Sequence, residues 1–458
     1  MRSLRLLGFS GLFSVLVFSG VEAQTVESRV LLSGDKLRVV SPAPIPGQGT
    51  GLPTPTVPSA TCQAGKQVPA LVNVIYVDKN DPSCGNGGGS RVHCSIQSAV
   101  NAAQPGTAVR IRASSSPYTE TVTVTRSGTA DRPIIIEAEP GQTPIFTNNG
   151  NAKAAIDIQG SHVVVRNLTF QGGGVNPESA IAVTARNKVN GVLIEGNTIK
   201  NWGETELSRS ERQYGIYVSG RGTTDDVVIR NNSLQGVRGI NIAVFQGYNA
   251  QIYGNTVAAA KCDTNTWGGN RTWTTWQGIK VGQGDGKGAD GPSNHVIHDN
   301  IVAEFDPRCP GAMPQVSGGG IWCDTGVTNG WVYNNRIVNV QGAFGLQIES
   351  RCANWSVRDN IISDTKGGTK ANYQTRNAPN ATFSKNISCG GATAFLIKES
   401  LGVNLIGNLA SGGKNLLKTR SKGGQTSVLG SDSSGIANSN SPACQNPYKA
   451  VLAGACLK

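Results

Sequence analysis

The chain has 458 residues, of which 15% are charged and 38% hydrophobic, and its net charge is +12. An excess of basic residues favours anionic partners such as uronic-acid glycans, nucleic acids or anionic lipids. The basic residues are dispersed, without a Lys/Arg-rich run, and this argues against a nucleic-acid-binding protein.

Residues 1–23 have the organisation of a secretory signal peptide. Arg2 and Arg5 are followed by an apolar run from Leu6 to Ser19 and by the small-residue cleavage site Val21-Glu22-Ala23. Its removal takes away two basic residues and one acidic residue, which leaves a net charge of +11. No other stretch is apolar enough to span a bilayer. The sequence therefore predicts a secreted or periplasmic protein, which we expect to be a monomer.

Residues 24–65 are predicted to be a linker or disordered arm, because "SPAPIPGQGTGLPTPTVPSA" (41–60) is rich in Pro, Gly and Thr and lacks apolar periodicity. Residues 66–458 are predicted to be one domain, closed at its N-terminal end by a short capping helix at 95–103. The ten cysteines suggest disulfide bonds in an exported chain. Local spacing allows the pairs Cys84–Cys94, Cys262–Cys309 and Cys444–Cys456.

A repeat runs through most of this domain. A short apolar alternation is followed each time by an Asn and another apolar residue, mostly at intervals of 22–35 residues. Each repeat is too short to bury a core of its own, so the repeats must stack. Short strands, many glycines and almost no helix predict an all-β fold, a right-handed parallel β-helix in which the Asn side chains form an internal ladder. The recurring Asn residues are 167, 197, 232, 255, 300, 335, 360, 386 and 408.

Side chains along each strand alternate between the interior and the solvent. Alignment of the coils on the Gly that precedes each alternation predicts inward pairs at Ile216/Val218, Ile240/Ile242, Ile279/Val281, Ile321/Cys323, Leu346/Ile348, Tyr373/Thr375, Phe395/Ile397 and Leu417/Thr419. The next residue in each coil points outward, which gives a column of Ser219, Ala243, Gly282, Asp324, Glu349, Arg376, Lys398 and Arg420. The column brings acidic and basic side chains together on one face.

Asp324 and Glu349 are the acidic pair of this column. They are 25 residues apart, as are Asn335 and Asn360, so two coils stack in register. Neighbouring strands lie ~4.8 Å apart, close to the separation of ~5–5.5 Å between the carboxyl groups of retaining glycosidases. Like charges at that distance raise one pKa and so separate an acid from a base. The alternative is a solvated face with a salt-bridge ladder.

Other residues of this face are expected to bind substrate. Trp322 lies two residues before Asp324. Trp273 and Trp276 belong to a long insertion. Three more candidates lie on the strands themselves: Lys280, Gln347 and Arg376. No metal or other cofactor is expected. A Gly-rich loop contains Asp285 and Asp290, which leave a calcium-binding site as an alternative, although their spacing is not that of an EF-hand. His295 and His298 are three apart in a strand and are expected on opposite faces in structural roles.

The N-terminal part, "YVDKNDPSC…SIQSAVNAAQPGTAVRI…YTETVTV…GTADRPIIIEAEPG", resembles the pectate-lyase-like right-handed β-helix superfamily. The segment "GGIWCDTGVTNGWVYNNRIVNVQGAFGLQIES" resembles β-helix glycoside hydrolases, including the family-120 β-xylosidases. That resemblance implies Asp324 as nucleophile and Glu349 as acid/base. The His-Gly-Pro that follows the family's Glu is replaced here by Ser350-Arg351-Cys352. The position of Arg376 beside Glu349 predicts that Glu349 ionises more readily, which opposes these roles.

A second resemblance implies different chemistry. "AFLIKESLGVNLIGN…LLKTRSKG" is similar to the Lys…Arg segment of family-6 polysaccharide lyases, which implies Lys398 as base and Arg420 as acid in β-elimination. The charge-neutralising carboxylates of that family are absent from residues 391–397. The expected substrate is a polysaccharide or oligosaccharide in either case, and a non-catalytic glycan-binding β-helix is the third alternative.

Overall fold

The computed structural model describes residues 29–33, 36–40, 73–87, 91–147, 153–172, 178–184, 188–203, 213–237, 239–258, 275–282, 291–303, 319–340, 344–364, 371–412, 414–421, 426–429, 436–438 and 444. Among these, short successive strands build three long sheets. The strands are parallel to their neighbours, except for those of a terminal hairpin, which are antiparallel. In each complete coil the chain passes through sheets 1, 2 and 3 in turn. This is the predicted right-handed parallel β-helix, and right-handed crossovers are the rule between parallel strands.

Sheet 1 has 16 strands. In spatial order they are Lys36–Val40, Arg29–Ser33, Thr426–Leu429, Val403–Ile406, Thr382–Ser384, Ser356–Arg358, Trp331–Tyr333, Val296–His298, Gln251–Tyr253, Val228–Arg230, Leu193–Glu195, Val163–Arg166, Ile134–Ala138, Thr107–Ile111, Asn73–Val77 and Val92–His93. Sheet 2 has 11 strands. They are Ile436–Asn438, Asn408–Ser411, Ile387–Gly390, Ile361–Asp364, Arg336–Val338, Ile301–Ala303, Thr256–Ala258, Ser233–Gln235, Thr198–Lys200, Thr169–Gln171 and Ile145–Phe146.

Sheet 3 has 12 strands and carries the predicted site. In order they are Asn415–Arg420, Thr393–Lys398, Ala371–Arg376, Phe344–Glu349, Gly319–Asp324, Thr275–Gly282, Gly239–Tyr248, Tyr214–Asp225, Ser179–Val183, Ala154–Ile158 and Val122–Val124, with Val189–Asn190 paired beside the long strand Tyr214–Asp225. A small two-stranded sheet joins Gly291–Pro292 to Val327–Thr328.

Helix α1, Ile96–Ala102, packs against the first coil. Ser95 caps its N-terminus, and the Glu120 carboxylate accepts hydrogen bonds from the backbone N–H groups of Ile96 and Gln97. Its buried residues Ile96, Ala99 and Val100 join the main core. The helix therefore covers apolar side chains of the first coil, as expected of a cap. No helix among the described residues is long and apolar enough to cross a membrane.

The strands Arg29–Ser33 and Lys36–Val40 form an antiparallel hairpin whose first strand pairs with Thr426–Leu429. The hairpin lies within the segment 24–65 that the sequence predicts to be a linker or arm, so part of that segment is paired with the last coils. The Pro-rich stretch 41–60 and the signal peptide 1–23 lie outside the described residues.

The core inside the coils is one continuous apolar cluster from Ile75 to Ala410. An Asn ladder accompanies it: each Asn Nδ2 and backbone N–H donate to the Oδ1 of the Asn in the next coil, at 3.0–3.1 Å. The ladder contains Asn197, Asn232, Asn255, Asn300, Asn335, Asn360, Asn386 and Asn408.

Asn167, predicted to belong to this ladder, lies outside it. The strand pairing aligns Arg166 with Glu195, so the ladder position of that coil is Leu168 and Asn167 matches Gly196. Asn167 has φ 58°, in the left-handed region that recurs one residue before each ladder Asn. Asn tolerates this conformation well, which explains its presence there.

Two disulfide bonds outside the site are described. Cys84–Cys94 confirms the prediction from spacing. Cys444 pairs with Cys389, 55 residues away, and not with Cys456 as predicted. Cys389 ends up near Cys444 because the C-terminal coils stack on its strand, which no local spacing could show. Cys262 and Cys309 lie outside the described residues, as does Cys456.

Candidate active site

The predicted column exists on the outer face of sheet 3. Strand pairing aligns Gly282 with Asp324, Cys323 with Ile348, and Glu349 with Arg376. Asp324 and Glu349 therefore end neighbouring strands at the same level, about 4.8 Å apart along the sheet. On the last eight stacked strands of sheet 3 the column is Ser219, Phe245, Gly282, Asp324, Glu349, Arg376, Lys398 and Arg420.

One coil was predicted out of register. Ala243 pairs with Lys280, and the column position is Phe245, with the inward pair Ile242/Val244 instead of Ile240/Ile242. The error arises because the corner position that is Gly in neighbouring coils is Asn241 in this one. Alignment on Gly239 therefore shifted the coil by two residues. The other seven inward pairs lie as predicted.

Asp324 forms an ion pair across the strands. The Lys280 ammonium lies 2.9 Å from its Oδ2, and the two side chains are only 16% and 15% exposed. The same ammonium lies 3.8 Å from the Trp322 ring centroid and 5.7 Å from that of Phe245. Because Lys280 is two residues before Gly282, it reaches Asp324 diagonally from the preceding strand. Lys280, predicted as a substrate contact, therefore supplies the positive charge beside this carboxylate.

Glu349 lies in a different environment. It is 8% exposed. Burial raises its pKa, and the negative charge of Asp324 raises it further, while Arg376, Lys280 and a hydrogen bond from Ser350 lower it. The Ser350 hydroxyl donates to Oε1 at 3.4 Å. The prediction that Arg376 makes Glu349 ionise more readily is wrong, because burial outweighs this neighbour. The pair therefore combines an ion-paired Asp with a Glu biased toward its protonated form.

A disulfide bond that the sequence analysis missed lies beneath this pair. Cys323, the residue before Asp324, is bonded to Cys352, three residues after Glu349. Both cysteines are buried in the core. The intervening Ser350 and Arg351 have φ values of 55° and 70°. The bond thus fastens the turn after Glu349 to the strand that ends at Asp324.

A second outward column runs two residues before the first. It contains Tyr217, Ala243, Lys280, Trp322, Gln347, Gln374, Leu396 and Lys418. Gln347 and Gln374 are 3% and 5% exposed, and the buried Trp322 Nε1 has no hydrogen-bond partner among the described residues. Gln374 was not predicted, although it stands at the position of Gln347 one coil later. Indole and amide groups thus flank the acids on successive strands.

The two ends of this face differ in character. Toward the N-terminal coils, Tyr217 stacks on Tyr214 at 4.4 Å and meets Phe245 edge-to-face. Toward the C-terminal coils, Arg376, Lys398 and Arg420 are in register as predicted, and Lys418 stands beside Arg420. Arg376, Lys418 and Arg420 are exposed. Trp276 lies on the strand Thr275–Gly282, but its side chain, like all of Trp273, falls outside the described residues.

The two histidines predicted to have structural roles lie away from the acid pair. His295 is buried, and His298, on the opposite face as predicted, stacks between Tyr253 and Tyr333. No group of three His, Cys, Asp or Glu side chains able to hold a metal ion occurs among the described residues. Asp285 and Asp290 lie outside them.

No known protein family matches the sequence, and no curated protein is similar to it. Similar solved structures include XylC in complex with xylose, with TM-score 0.46 and 11% identity over 76% of this chain and 70% of the other. A GH136 lacto-N-biosidase from Eubacterium ramulus has TM-score 0.45 and 14% identity, over 76% of this chain and 67% of the other. An alginate lyase from Paenibacillus sp. str. FPU-7 has TM-score 0.44 and 14% identity, over 80% and 98%. Such similarity carries nothing about chemistry, which has to be argued from the site.

Proposed function

We propose that this protein is an exported carbohydrate-active enzyme, a retaining glycoside hydrolase with Asp324 as nucleophile and Glu349 as acid/base. One observation carries the proposal: two carboxyl groups end adjacent strands on the outer face of one sheet, and their environments differ. Asp324 is ion-paired with Lys280, whereas burial raises the pKa of Glu349. Two carboxyl groups that lie on adjacent strands in such different environments can divide the roles of nucleophile and acid between them.

The reaction follows from these positions. Glu349 donates its proton to the glycosidic oxygen while an Asp324 oxygen bonds to the anomeric carbon, and the bond from that carbon to the leaving sugar breaks. Glu349, now a carboxylate, removes a proton from water, whose oxygen bonds to the anomeric carbon as the bond to Asp324 breaks. Both residues return to their starting states, and the product keeps the anomeric configuration of the substrate.

The acid pair is tested by isosteric substitution. Asp324→Asn and Glu349→Gln should each lower the release of reducing ends from a cleaved glycan by at least about 10³-fold. Their melting temperatures should stay close to that of the unsubstituted protein. Asp131→Asn is the matched control, because the Asp131 side chain is 79% exposed and the residue follows the strand Val122–Val124, six strands from that of Asp324. Full activity in either site variant would reject the proposal, and proton NMR of the first product formed should show retained configuration.

The second candidate function is a polysaccharide lyase. Arg376, Lys398 and Arg420 stand in one register beside Glu349, and this favours binding of an acidic sugar at which Lys398 could remove a proton. A lyase would release unsaturated uronates that absorb in the ultraviolet, while a hydrolase releases saturated ends. One glycan panel, read for reducing ends, unsaturated ends and affinity, separates the hydrolase, the lyase and a non-catalytic glycan-binding protein.

The proposed export has independent support. Three disulfide bonds are present among the described residues. Disulfide bonds form and persist in oxidising compartments such as the periplasm and the extracellular medium. Together with the N-terminal sequence pattern, they support a secreted or periplasmic protein.

A further inference from the structure

The side chains on the face that carries the acid pair change in chemical character from the N-terminal to the C-terminal coils. On the described strands before Asp324, the outward residues next to the pair are aromatic or small: Phe245, Gly282, Tyr217 and Ala243. The one cation that the two outward columns present on the three strands before that of Asp324 is Lys280, which is engaged by Asp324. On the strands after Glu349 the same two columns present Arg376, Lys398, Lys418 and Arg420. Within these two columns, the acid pair therefore stands at the boundary between aromatic or small residues with one ion-paired Lys and a basic region.

The proposed roles, on which this inference rests, orient a substrate across that boundary. The nucleophile bonds to the anomeric carbon of the sugar that stays on the enzyme, and the acid protonates the oxygen of the sugar that leaves. Because Asp324 precedes Glu349 along the stack of coils, the sugar that stays lies toward Gly282 and Phe245. The leaving sugar lies toward Arg376.

The region before Asp324 suits a neutral sugar. Gly282 leaves the space beside Asp324 free of a side chain, and a Cβ there would lie 2.7 Å from the Asp324 carbonyl oxygen. Phe245 and Trp322 provide apolar surface on either side of Lys280, the one cation that the two columns present on the three strands before Asp324. A carboxylate bound here would face the charge of Asp324 with Lys280 already engaged, and this is unfavourable.

The region after Glu349 suits an anionic sugar. Basic side chains recur at each strand, about 4.8 Å apart, and arginine guanidinium groups bind carboxylates with paired hydrogen bonds. Gln374, beside Arg376 and 5% exposed, adds an amide that can bind sugar hydroxyl groups. The described acidic residue in this region is Glu399, which follows Lys398, so the basic charge predominates.

We propose that the substrate is a mixed glycan that is cut between a neutral sugar, bound over Asp324, and an anionic sugar, bound over Arg376. Hydrolysis then leaves the neutral sugar at the new reducing end and the anionic sugar at the new non-reducing end. The anionic group is a carboxylate or a sulfate, both of which a guanidinium binds.

The first test uses oligosaccharides of alternating neutral sugar and uronic acid, next to the same oligosaccharides with the carboxyl groups reduced to alcohols. A sulfated glycan and its desulfated form make up the second arm. We expect at least about tenfold higher kcat/KM for the anionic member of one pair, and mass spectrometry should find the neutral sugar at the new reducing end. Equal rates within both pairs, or an anionic sugar at the new reducing end, would overturn the inference and leave the hydrolase proposal intact.

The second test assigns the preference to Arg376. Arg376→Gln should lower the ratio of kcat/KM values for the anionic and neutral glycans about tenfold. Arg132→Gln, whose side chain is 55% exposed and lies outside sheet 3, is the charge-matched control and should keep the ratio. An unchanged ratio in Arg376→Gln would contradict the assignment.

The third test separates this inference from the proposed mechanism. Calorimetry on Glu349→Gln should show tighter binding of the anionic oligosaccharide than of its reduced form, whether or not the protein is a hydrolase. If the preference is present but the products carry unsaturated uronates, the hydrolase proposal fails and the position of the anionic sugar stands. If neither binding nor cleavage distinguishes the members of either pair, the inference is wrong.

Discussion

At the scale of single residues, the acid pair depends on contacts that cross from strand to strand. Lys280 lies one strand before Asp324 and reaches it diagonally. Glu349 is affected by charges on both sides along the sheet, with Asp324 on the preceding strand, Lys280 one strand further, and Arg376 on the following strand. Burial nevertheless has the largest effect, which holds the pKa of Glu349 above its ordinary value.

Lys280 should therefore control the pH dependence of activity. Its charge lowers the pKa of Glu349, so Lys280→Met should raise that pKa. Glu349 must be protonated to cleave the bond, and the alkaline limb of kcat/KM should consequently move to higher pH. Loss of the ion pair with Asp324 should also lower kcat/KM by about tenfold, or ~1.4 kcal/mol.

The exposed Lys153, which precedes the strand Ala154–Ile158, provides the matched control. Lys153→Met should leave the pH profile as it is. An alkaline limb that stays in place or moves to lower pH in Lys280→Met would show that Lys280 does not act on Glu349.

The sequence predicted the adjacency of Asp324 and Glu349, but not their different environments. Adjacency follows from the 25-residue spacing, which Asn335 and Asn360 share. The exposure of Glu349 depends on neighbouring side chains and on the turn that Cys352 holds to Cys323. A column of charges in the sequence contains neither, and it therefore gives too much weight to Arg376.

At the scale of the coil, the Asn ladder holds successive turns in register. Asn360 donates through Nδ2 to Asn386 and to the Val332 carbonyl, and its Oδ1 accepts from the backbone and side chain of Asn335. All of these groups are buried, so water cannot replace a missing partner. The ladder thus fixes the two coils that carry Asp324 and Glu349.

Asn360→Ala should lower the free energy of unfolding by roughly 2–4 kcal/mol, because it removes the acceptor of the buried Asn335 backbone N–H and one acceptor of the Asn335 Nδ2. Chemical denaturation measures this loss. Asn354, in the same coil but exposed and at φ 59°, is the control. Asn354→Gly should be close to neutral, since Gly adopts this conformation readily. Equal losses in both variants would contradict a special role for the buried ladder.

The register of a coil is predicted correctly wherever the residue at the inward corner is Gly. Gly215, Gly278, Gly320 and Gly345 occupy the inward corner, and their coils were aligned correctly. Asn241 replaces Gly in one coil, and the predicted register there differs by two residues from that of the structure. Asn372 also replaces it, yet Arg376 lies as predicted. Local spacing therefore predicts this fold well, apart from the coil in which Gly239 stands two residues before the true corner residue, Asn241.

At the scale of the whole molecule, one apolar core runs through the described coils from Ile75 to Ala410. His295 lies inside this core. Its Nδ1 accepts from the Ala250 backbone N–H at 3.3 Å, and its Nε2 is buried without a hydrogen-bond partner among the described residues. Burial lowers its pKa from 6.5 to about 4. The neutral ring is therefore part of the folded state.

His295 should make the fold sensitive to acid. Above pH 6.5 the ring is neutral in both the folded and the unfolded chain, so its contribution is complete. As the pH falls from 6.5 toward about 4 the unfolded chain binds a proton that the folded chain does not. About 3 kcal/mol of stability should be lost over this range. Denaturation at several pH values should show a shallower dependence for His295→Gln, and identical slopes would contradict the explanation.

The uniform rise of the coils has a consequence for how such a surface could change. Each coil contributes one side chain to each outward column, so adding or deleting a coil beyond Phe245 or beyond Arg420 would lengthen or shorten the surface by one sugar-sized step. The two carboxyl groups would keep their separation, because it is set by their own adjacent strands. Reach along a polymer and bond-breaking chemistry could therefore diversify independently in this architecture.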